Sequence, residues 1–404
     1  MARILMLTSR LPFPPREGHQ LRSWHLLRAL AREHTVTLLS FQRSDDALDE
    51  CAPLQAIVAN LETFPIPAEH SKIPLLAAAA RSLLGRTPFV VHKYTSAAMR
   101  ARIAELIGAS DILHVDMLPL MAMVPERPRT CKVVLNAHNV EHLLLRQRAD
   151  VEDGAAQRWF LRRQVGKLER FEQSACVRAN HVLACSADDV KHLSALAPQT
   201  PMSVIPNGVD AHANQPAPGA PKSPRQLVFV GQMGWFPNRD GVEWFLADIL
   251  PRIVVARSDV EFALIGKPGS LVVPEALRAN VRLLGFVKEV APHVQDAGIY
   301  VVPLRAGSGT RLKILEAMAF GKAIVTTRIG AEGITLRDGV DAVFADTPQE
   351  FAAAVLRLLD APQEIARLGA AARATAEAHY DWAAIAANLL PIYSRLAEDH
   401  ARQR

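Results

Sequence analysis

A chain of 404 residues, half of them apolar, is too long for one ordinary hydrophobic core and supplies enough apolar material for two. Its longest apolar runs, such as 73–80, stop well short of the roughly 20 residues a bilayer-spanning helix needs. The formal net charge of +5 favours an anionic partner, but the chain has neither zinc-finger spacing nor an RNP-like aromatic motif, so nucleic acid is set aside.

Cys51, Cys131, Cys176 and Cys185 show no C-x-x-C spacing and no disulfide framework, which fits a reduced cytoplasm and argues against zinc. Residues 1–7 lead straight into a strand without a signal-peptide cleavage pattern, so a cytoplasmic location is expected. The first strand is Arg3 to Thr8. A Pro-rich loop from Ser9 to Gly18 then leads into a helix from about His19 to Arg32, and Thr35 to Phe41 is the second strand. This strand–helix–strand run is a βαβ unit. The alternation continues with a strand at Glu62 to Pro67 and helices at Ile73 to Leu84 and Ser96 to Ile107. Strands at Ile112 to Val115 and Lys132 to Asn136 follow, then one long helical stretch from about Val140 to Arg178, and strands at His181 to Cys185 and Val204 to Pro206. Repeated alternation predicts a parallel sheet covered on both faces.

Asn214 to Pro224 is proline-rich and poor in core-forming residues, the composition of a linker. A second series begins at Leu227 to Gly231 and continues through Phe262 to Gly266, Val281 to Gly285, Ile299 to Leu304 and Ala323 to Thr327. The last hundred residues read as mostly helical. The fold class is therefore α/β, two doubly wound Rossmann-like domains: 1–210, a linker at 211–225, 226–380, and a final segment at 381–404. In such sheets ligands bind beyond the C-terminal ends of the strands, and two facing domains make a cleft. Gly18, His138, Gly231, Phe286 and Gly307 all lie at or just after predicted strand ends, so convergence on one cleft is expected.

The stretch around which the rest is organised is 307–321. Gly307 and Gly309 frame a tight turn after a buried strand, a helix is predicted from Thr310 to Phe320, and Gly321 stops it. A helix N-terminus presents unpaired N–H groups and the positive end of the macrodipole, which suits a phosphate. Arg311 and Lys313 add full charges, and Glu316 follows one turn later as an acceptor for sugar hydroxyls. The plainer reading is a solvated charged face with a weak Lys313–Glu316 pair. A Walker A loop is excluded, because the glycine it needs five positions before Gly321 is Glu316. No G-x-G-x-x-G follows the first strand.

His138 ends the strand that finishes at Asn136. It reads either as a buried histidine bonded to backbone or as a hydrogen-bond partner for a substrate hydroxyl or phosphate. His114 reads as structural. Arg158, Trp159, Phe160, Arg162, Arg163, Lys167 and Arg170 mix bases with aromatics on a helix. That face suits an anionic membrane surface, which would be a peripheral contact at the inner face; equally it suits a solvated helix packing its rings on the sheet. The apolar helix Ile73 to Leu84 reads either as the lining of a lipid-acceptor groove or, the favoured reading, as an ordinary core helix.

Residues 309–322, Gly-Thr-Arg-Leu-Lys-Ile-Leu-Glu-Ala-Met-Ala-Phe-Gly-Lys, resemble the donor-site signature of the family 4 retaining glycosyltransferases, which have the GT-B fold. Ile205 to Asp210, Phe229 to Gly231 and Gly330 to Ile334 support the resemblance, and Met233 to Asn238 with Gly307 to Thr310 resemble a subgroup tied to exopolysaccharide and exosortase-associated sugar transfer. The resemblance implies a nucleotide-diphosphate-sugar donor held by the C-terminal domain and a glycan or lipid-linked acceptor held by the N-terminal one. It places Glu316 on the donor ribose, and Gly309, Thr310, Arg311 and Lys313 on the diphosphate. Phe286 and Val287 fall by the nucleobase, Gly18 near the phosphate or acceptor, and His138 by the transferring sugar. Neither metal nor further cofactor is implied, stereochemistry is retained, and the segment from about Trp382 to Ala397 crosses back to the first domain. His138, Lys313 and Glu316 are the implied catalytic residues.

Two positions depart from the family pattern. Its paired glutamates stand eight apart, which makes the first residue Ser308 here, and its Arg–Lys pair after the first strand of the second domain is replaced by Gln232 and by Asn238-Arg239-Asp240. Arg311 and Lys313, with Arg239, are expected to supply the missing positive charge. Ser308 and Gln232 motivate an alternative, a non-catalytic sugar-nucleotide-binding scaffold; a nucleotide-sugar epimerase is the third reading.

Overall fold

The computed structural model describes residues 1–43, 46, 48–67, 72–126, 128, 130–219, 221–306 and 310–403, with the side chains of 48, 49, 72 and 403 left out. The chain divides into two compact units, Met1–Pro206 with Ala386–Arg404, and Asn207–Ile385.

The first unit is built on a parallel seven-stranded sheet in the order β3-β2-β1-β4-β5-β6-β7. Its strands are β1 (Arg3–Thr8), β2 (Thr35–Gln42), β3 (Asn60–Pro65), β4 (Ile112–Asp116), β5 (Lys132–Asn136), β6 (His181–Ala184) and β7 (Met202–Val204). The central strands β1, β4 and β5 are buried except for their first residues Arg3 and Lys132, as their apolar runs require. The strand order reverses between β1 and β4, where Thr8 pairs with Asp116 and Asp116 in turn with Asn136. The second unit carries a parallel six-stranded sheet, β10-β9-β8-β11-β12-β13, reversing between β8 (Ser223–Val230) and β11 (Ala297–Val302). The others are β9 (Glu261–Ile265), β10 (Val281–Gly285), β12 (Ala323–Thr326) and β13 (Val343–Phe344). The α/β fold expected from the alternation is the fold observed.

Eight of the helices matter below: α1 (Gly18–Glu33), α2 (Lys72–Leu84), α3 (Glu141–Asp150), α4 (Ala155–Arg178), α5 (Phe236–Trp244), α6 (Leu312–Ala319), α7 (Pro362–His379) and α8 (Trp382–Gln403). The long helix expected from Val140 to Arg178 is two helices. It breaks at 151–154, where Asp153-Gly154 leaves the helical conformation and Gly154 becomes the N-cap of α4. The site helix α6 starts two residues later than expected, because Arg311 sits at φ −81°, ψ 84°; its stop at Gly321 holds, with φ +64°. Gly321 is also where α7 approaches: a Cβ on Gly369 would lie 2.1 Å from the Gly321 carbonyl oxygen.

The reading of Ile73 to Leu84 as a core helix is corrected. Among the described side chains of α2 only Ala78 and Ser82 are buried, while Ile73, Leu76 and Leu84 are 77, 69 and 92% exposed. The helix packs through its small residues and turns its large ones outward. Its C-terminal end is tied to α4: Lys167 Nζ donates to the carbonyls of Ser82, of Leu83 at 3.4 Å and of Gly85 at 2.6 Å, and Gln164 Nε2 donates to Ser82 Oγ at 3.1 Å. Lys167 thus caps orphan carbonyls. Phe160 packs edge-on against Phe89 with centroids 5.8 Å apart, while Trp159 stays 53% exposed beneath the Arg163 guanidinium.

Candidate functional site

Both sheets place polar residues at the reversal of strand order, the position where doubly wound sheets bind ligands. In the second unit, β8 delivers Gly231 and Gln232 at its end, and α5 begins just after them. A Cβ on Gly231 would fall 2.8 Å from both Asn238 Nδ2 and Lys313 Nζ and 2.9 Å from Phe229 Cε1, so only glycine leaves room for what gathers there. Gly266, at φ +126°, presses against the Gly231 carbonyl from β9 and closes that side. Lys313, in the first turn of α6, donates from Nζ to Asn238 Oδ1 at 2.7 Å and lies 4.0 Å from the Phe229 ring centroid. Asn238 is held in turn by its own Nδ2, which donates to the Gln232 carbonyl at 3.0 Å.

Desolvation, reinforced by the like charge of Arg311 and opposed by Glu316, brings the Lys313 amine down to about 7. Burial likewise pushes the Glu316 carboxyl upward against the pull of Lys313. The Tyr300 hydroxyl is raised by burial and by the neighbouring Glu316. Arg311 is 9% exposed, and burial lowers its guanidinium against the opposing charge of Glu332, whose carboxylate is 3.7 Å away. Lys313, Glu316, Gln232 and Arg311 are thus gathered around the end of β8 and the start of α6. Thr310 leads into α6, and its carbonyl accepts from Leu312 N at 3.1 Å. Arg239 sits on α5 with its backbone N–H on the Trp235 carbonyl at 3.2 Å, and among the described residues its side chain makes no ion pair or hydrogen bond. Phe286 is 76% exposed after β10, beside half-buried Val287. Ser308 and Gly309 lie outside the described residues, as does Gly307.

In the first unit the corresponding sheet edge holds His138, and with it a buried network that reading along the chain did not find. His138 Nε2 is 2.7 Å from Asp116 Oδ1, Asn136 Nδ2 donates to the same oxygen at 2.6 Å, and Ser23 Oγ donates to Oδ2. Arg22, 1% exposed, reaches from α1 to donate to Asn136 Oδ1 at 2.7 Å and to the Ile205 and Pro206 carbonyls at 2.7 and 3.0 Å. Burial works against ionisation of Asp116. The charge and hydrogen bond of His138, with the nearby imidazole of His114 at 3.9 Å, outweigh it and hold the carboxyl well below its ordinary range. An ionised Asp116 can only accept, so it draws the proton of His138 to Nε2. Gly18, exposed, opens α1 beside His19, whose imidazole is lowered by desolvation and then by the charge of His138. His114 is structural: its Nδ1 meets the Tyr393 hydroxyl from α8 inside the core.

The Ile205 to Asp210 segment continues into the second unit. A Cβ on Gly208 would lie 2.6 Å from Ile385 Cδ1 and 2.8 Å from the Tyr380 carbonyl oxygen, and Val209 N donates to that carbonyl at 2.8 Å. Among the described residues no group of three or more His, Cys, Asp or Glu is arranged to hold a metal ion, and no helix is long and apolar enough to cross a membrane.

Residues 17–213 match the domain described as Glycosyltransferase Family 4, and residues 224–361 match Glycosyl transferases group 1. The chain belongs to the family 4 glycosyltransferases. It is similar to phosphatidyl-myo-inositol mannosyltransferase of Mycolicibacterium smegmatis, with 32% identity over 205 residues, 48% of this chain and 52% of that protein. D-inositol 3-phosphate glycosyltransferase 2 of Catenulispora acidiphila is also 32% identical over 205 residues, covering 47% of this chain and 48% of its own. The chain thus spans about half the length of the curated relatives it matches. Its fold extends further: sucrose-phosphate synthase from Thermosynechococcus elongatus superposes with a TM-score of 0.71 at 18% identity, over 98% of this chain and 99% of that one. HepE of Anabaena, solved in complex with UDP and glucose, superposes with a TM-score of 0.65 at 15% identity, over 98% of this chain and 100% of that one. The glycosyltransferase GT-B fold is therefore this chain's fold.

Proposed function

We propose that this glycosyltransferase moves a sugar, with retention and without a metal ion, from a nucleotide-diphosphate sugar to a glycan or lipid-linked acceptor in exopolysaccharide or cell-envelope synthesis. The observation that carries the reading is the seat of Lys313 beside Gly231, with Glu316 on the same short helix and Arg311 at its N-cap. In this reading the positive end of α6, Lys313 and Arg311 hold the diphosphate, and Glu316 accepts hydrogen bonds from the ribose. Ser308, Gly309 and Thr310 complete the turn, and Gln232, Arg239, Phe286, Val287 and Gly18 remain proposed donor contacts. His138, fixed by Asp116, hydrogen-bonds a sugar hydroxyl. As the bond from the anomeric carbon to the phosphate oxygen breaks, the acceptor oxygen bonds the same face of that carbon. The departing phosphate oxygen takes the acceptor's proton. Electrostatic stabilisation of the leaving diphosphate by fixed cations does the work a metal ion does elsewhere.

The test incubates purified protein with a panel of nucleotide sugars, with and without lipid-linked acceptors. Transfer that needs the acceptor, and is lost in Lys313→Ala, is the expected result. A Lys313→Ala protein with wild-type turnover and donor affinity would sink the assignment. Product without acceptor would favour an epimerase, and binding without turnover on any pair would favour a scaffold.

The protein is further proposed to work at an anionic membrane surface, a reading supported by the exposed apolar stripe of α2 beside exposed Trp159, Arg162 and Arg163. Lys167 and Arg158 are poor choices for testing it. Lys167 caps α2, and Arg158 donates to the Glu152 and Asp153 carbonyls at 2.7 and 3.2 Å. Cosedimentation with vesicles containing anionic lipid should be lost when Ile73, Leu76 and Leu84 become Ser, and weakened by Arg162→Gln with Arg163→Gln. No vesicle binding by the wild type would end this reading.

A further inference from the structure

In the donor-site reading, a full positive charge meets the diphosphate. The seat of Lys313 is unusual for such a charge. Its amine is held by an amide oxygen, Asn238 Oδ1 at 2.7 Å, and by the face of Phe229. Among the described residues no carboxylate lies within ion-pair distance of it. Among the described residues, Glu316 on its own helix and the preceding Arg311 act on its charge, Phe229 of β8 and Gly231 just after that strand lie against it, and α5 supplies the Asn238 amide. Beyond these, Tyr300 on β11 lies near Glu316, and Glu332 is engaged with Arg311. The nearest acidic residue on α5, Asp240, is occupied by Arg305 in a two-point contact at 2.6 and 3.1 Å.

We infer that Asn238 is a positioning residue for Lys313, and that this seat couples donor binding to proton uptake: the amine gains its proton as the diphosphate arrives. The inference rests on the donor-site reading above and adds to it a residue and a proton. An amine that desolvation and Arg311 hold near neutral pH is divided between its two forms in the free protein. A dianionic pyrophosphate beside it favours the ammonium form strongly. One proton is then taken up from solvent per Lys313 that was neutral. An amide suits this role because it accepts from either form of the amine without fixing the charge. A carboxylate in its place would hold the ammonium permanently and compete with the phosphate.

Calorimetry tests it, using UDP-glucose, UDP-N-acetylglucosamine and GDP-mannose as probes, because their pyrophosphate diesters carry no group titrating near neutral pH. Binding heats measured in two buffers of different ionisation enthalpy give the number of protons exchanged. For the wild type the expected uptake is about half a proton at pH 7 and close to one at pH 8, with Kd rising toward tenfold per pH unit above that. Lys313→Met should abolish the uptake. Asn238→Asp should abolish it as well and weaken binding about tenfold, whereas Asn238→Ala should weaken binding but keep the proton. A wild type that binds a sugar nucleotide with no proton uptake, or an Asn238→Asp protein with wild-type uptake and affinity, would overturn the inference while leaving the donor site standing. Binding of none of the three probes would overturn the donor reading itself, and this one with it.

Discussion

Asp116 is the most informative residue to perturb, because its two oxygens serve different partners. Oδ1 receives Asn136 Nδ2 at 2.6 Å and His138 Nε2 at 2.7 Å, and Oδ2 receives Ser23 Oγ, which also lies 2.8 Å from the His19 carbonyl. In Asp116→Ala the two Oδ1 donors are left without an acceptor in a fully buried site. Leaving a buried donor unpaired costs about 1–3 kcal/mol, so the two together should cost about 2–5 kcal/mol. Asp116→Asn keeps the shape. Its carbonyl can still serve Oδ1's partners, and its amide N–H can donate to Ser23, whose hydroxyl proton is free to go to His19. Only the charge is lost, so about 1–2 kcal/mol is expected. Because Asp116 has a depressed pKa in the folded protein, the unfolded chain binds the proton first as pH falls. Its stabilising effect is complete above the ordinary carboxylate range, roughly pH 4, and is lost as pH falls toward its folded value. The gap between wild type and Asp116→Asn should therefore narrow below about pH 4. Urea titrations at several pH values, read by hydrogen exchange of the β4 and β5 peptides, measure both effects. An Asp116→Ala protein within about 1 kcal/mol of wild type, or an Asn gap unchanged between neutral and acid pH, would refute the reasoning.

Three further outcomes are expected. Gly231→Ala drives a methyl into the ends of Lys313, Asn238 and Phe229, all of which can yield, so the fold should survive while donor Kd rises about tenfold in calorimetry. Gly369→Ala meets a backbone carbonyl that cannot yield, 2.1 Å away, and should cost about 2–3 kcal/mol in thermal or urea unfolding. Unfolding free energy should also rise as pH goes from 7 toward 10 and flatten in Lys313→Met. The unfolded chain keeps a proton on this lysine over that window, and the folded chain with its amine near 7 does not.

The fold was legible because alternating apolar strands and amphipathic helices leave a local mark, and a parallel sheet follows from their order. The site helix was legible for the same reason, with charges at one end and a glycine at the other. What escaped was non-local. Arg22, Asp116 and Asn136 sit far apart in sequence and meet only because β1, β4 and β5 are neighbours in register. The available signal was that two adjacent apolar strands, β4 and β5, both end on a polar residue, Asp116 and Asn136. That Lys313 stands in the first turn of a helix was legible, but not its contact with Asn238, since nothing in an Asn-Arg-Asp run says which of its side chains faces inward. Composition misled at α2. An apolar helix was read as core, yet its small residues supply the contact and its large ones face solvent. The break between α3 and α4 was readable at Asp153-Gly154, a turn pair inside a helical pattern.

Helix α8 begins in one unit and finishes in the other, and it puts Tyr393 against His114 in the centre of the first sheet. On the ribosome, Met1–Pro206 emerges long before residue 393 is made. During that interval β4 carries an uncovered histidine where a tyrosine belongs, and the first unit cannot reach its final core. Domains ordinarily mature in the order of their synthesis. Here the first domain to be made is the last to be completed, so its final packing step reports that the whole of the second has been translated.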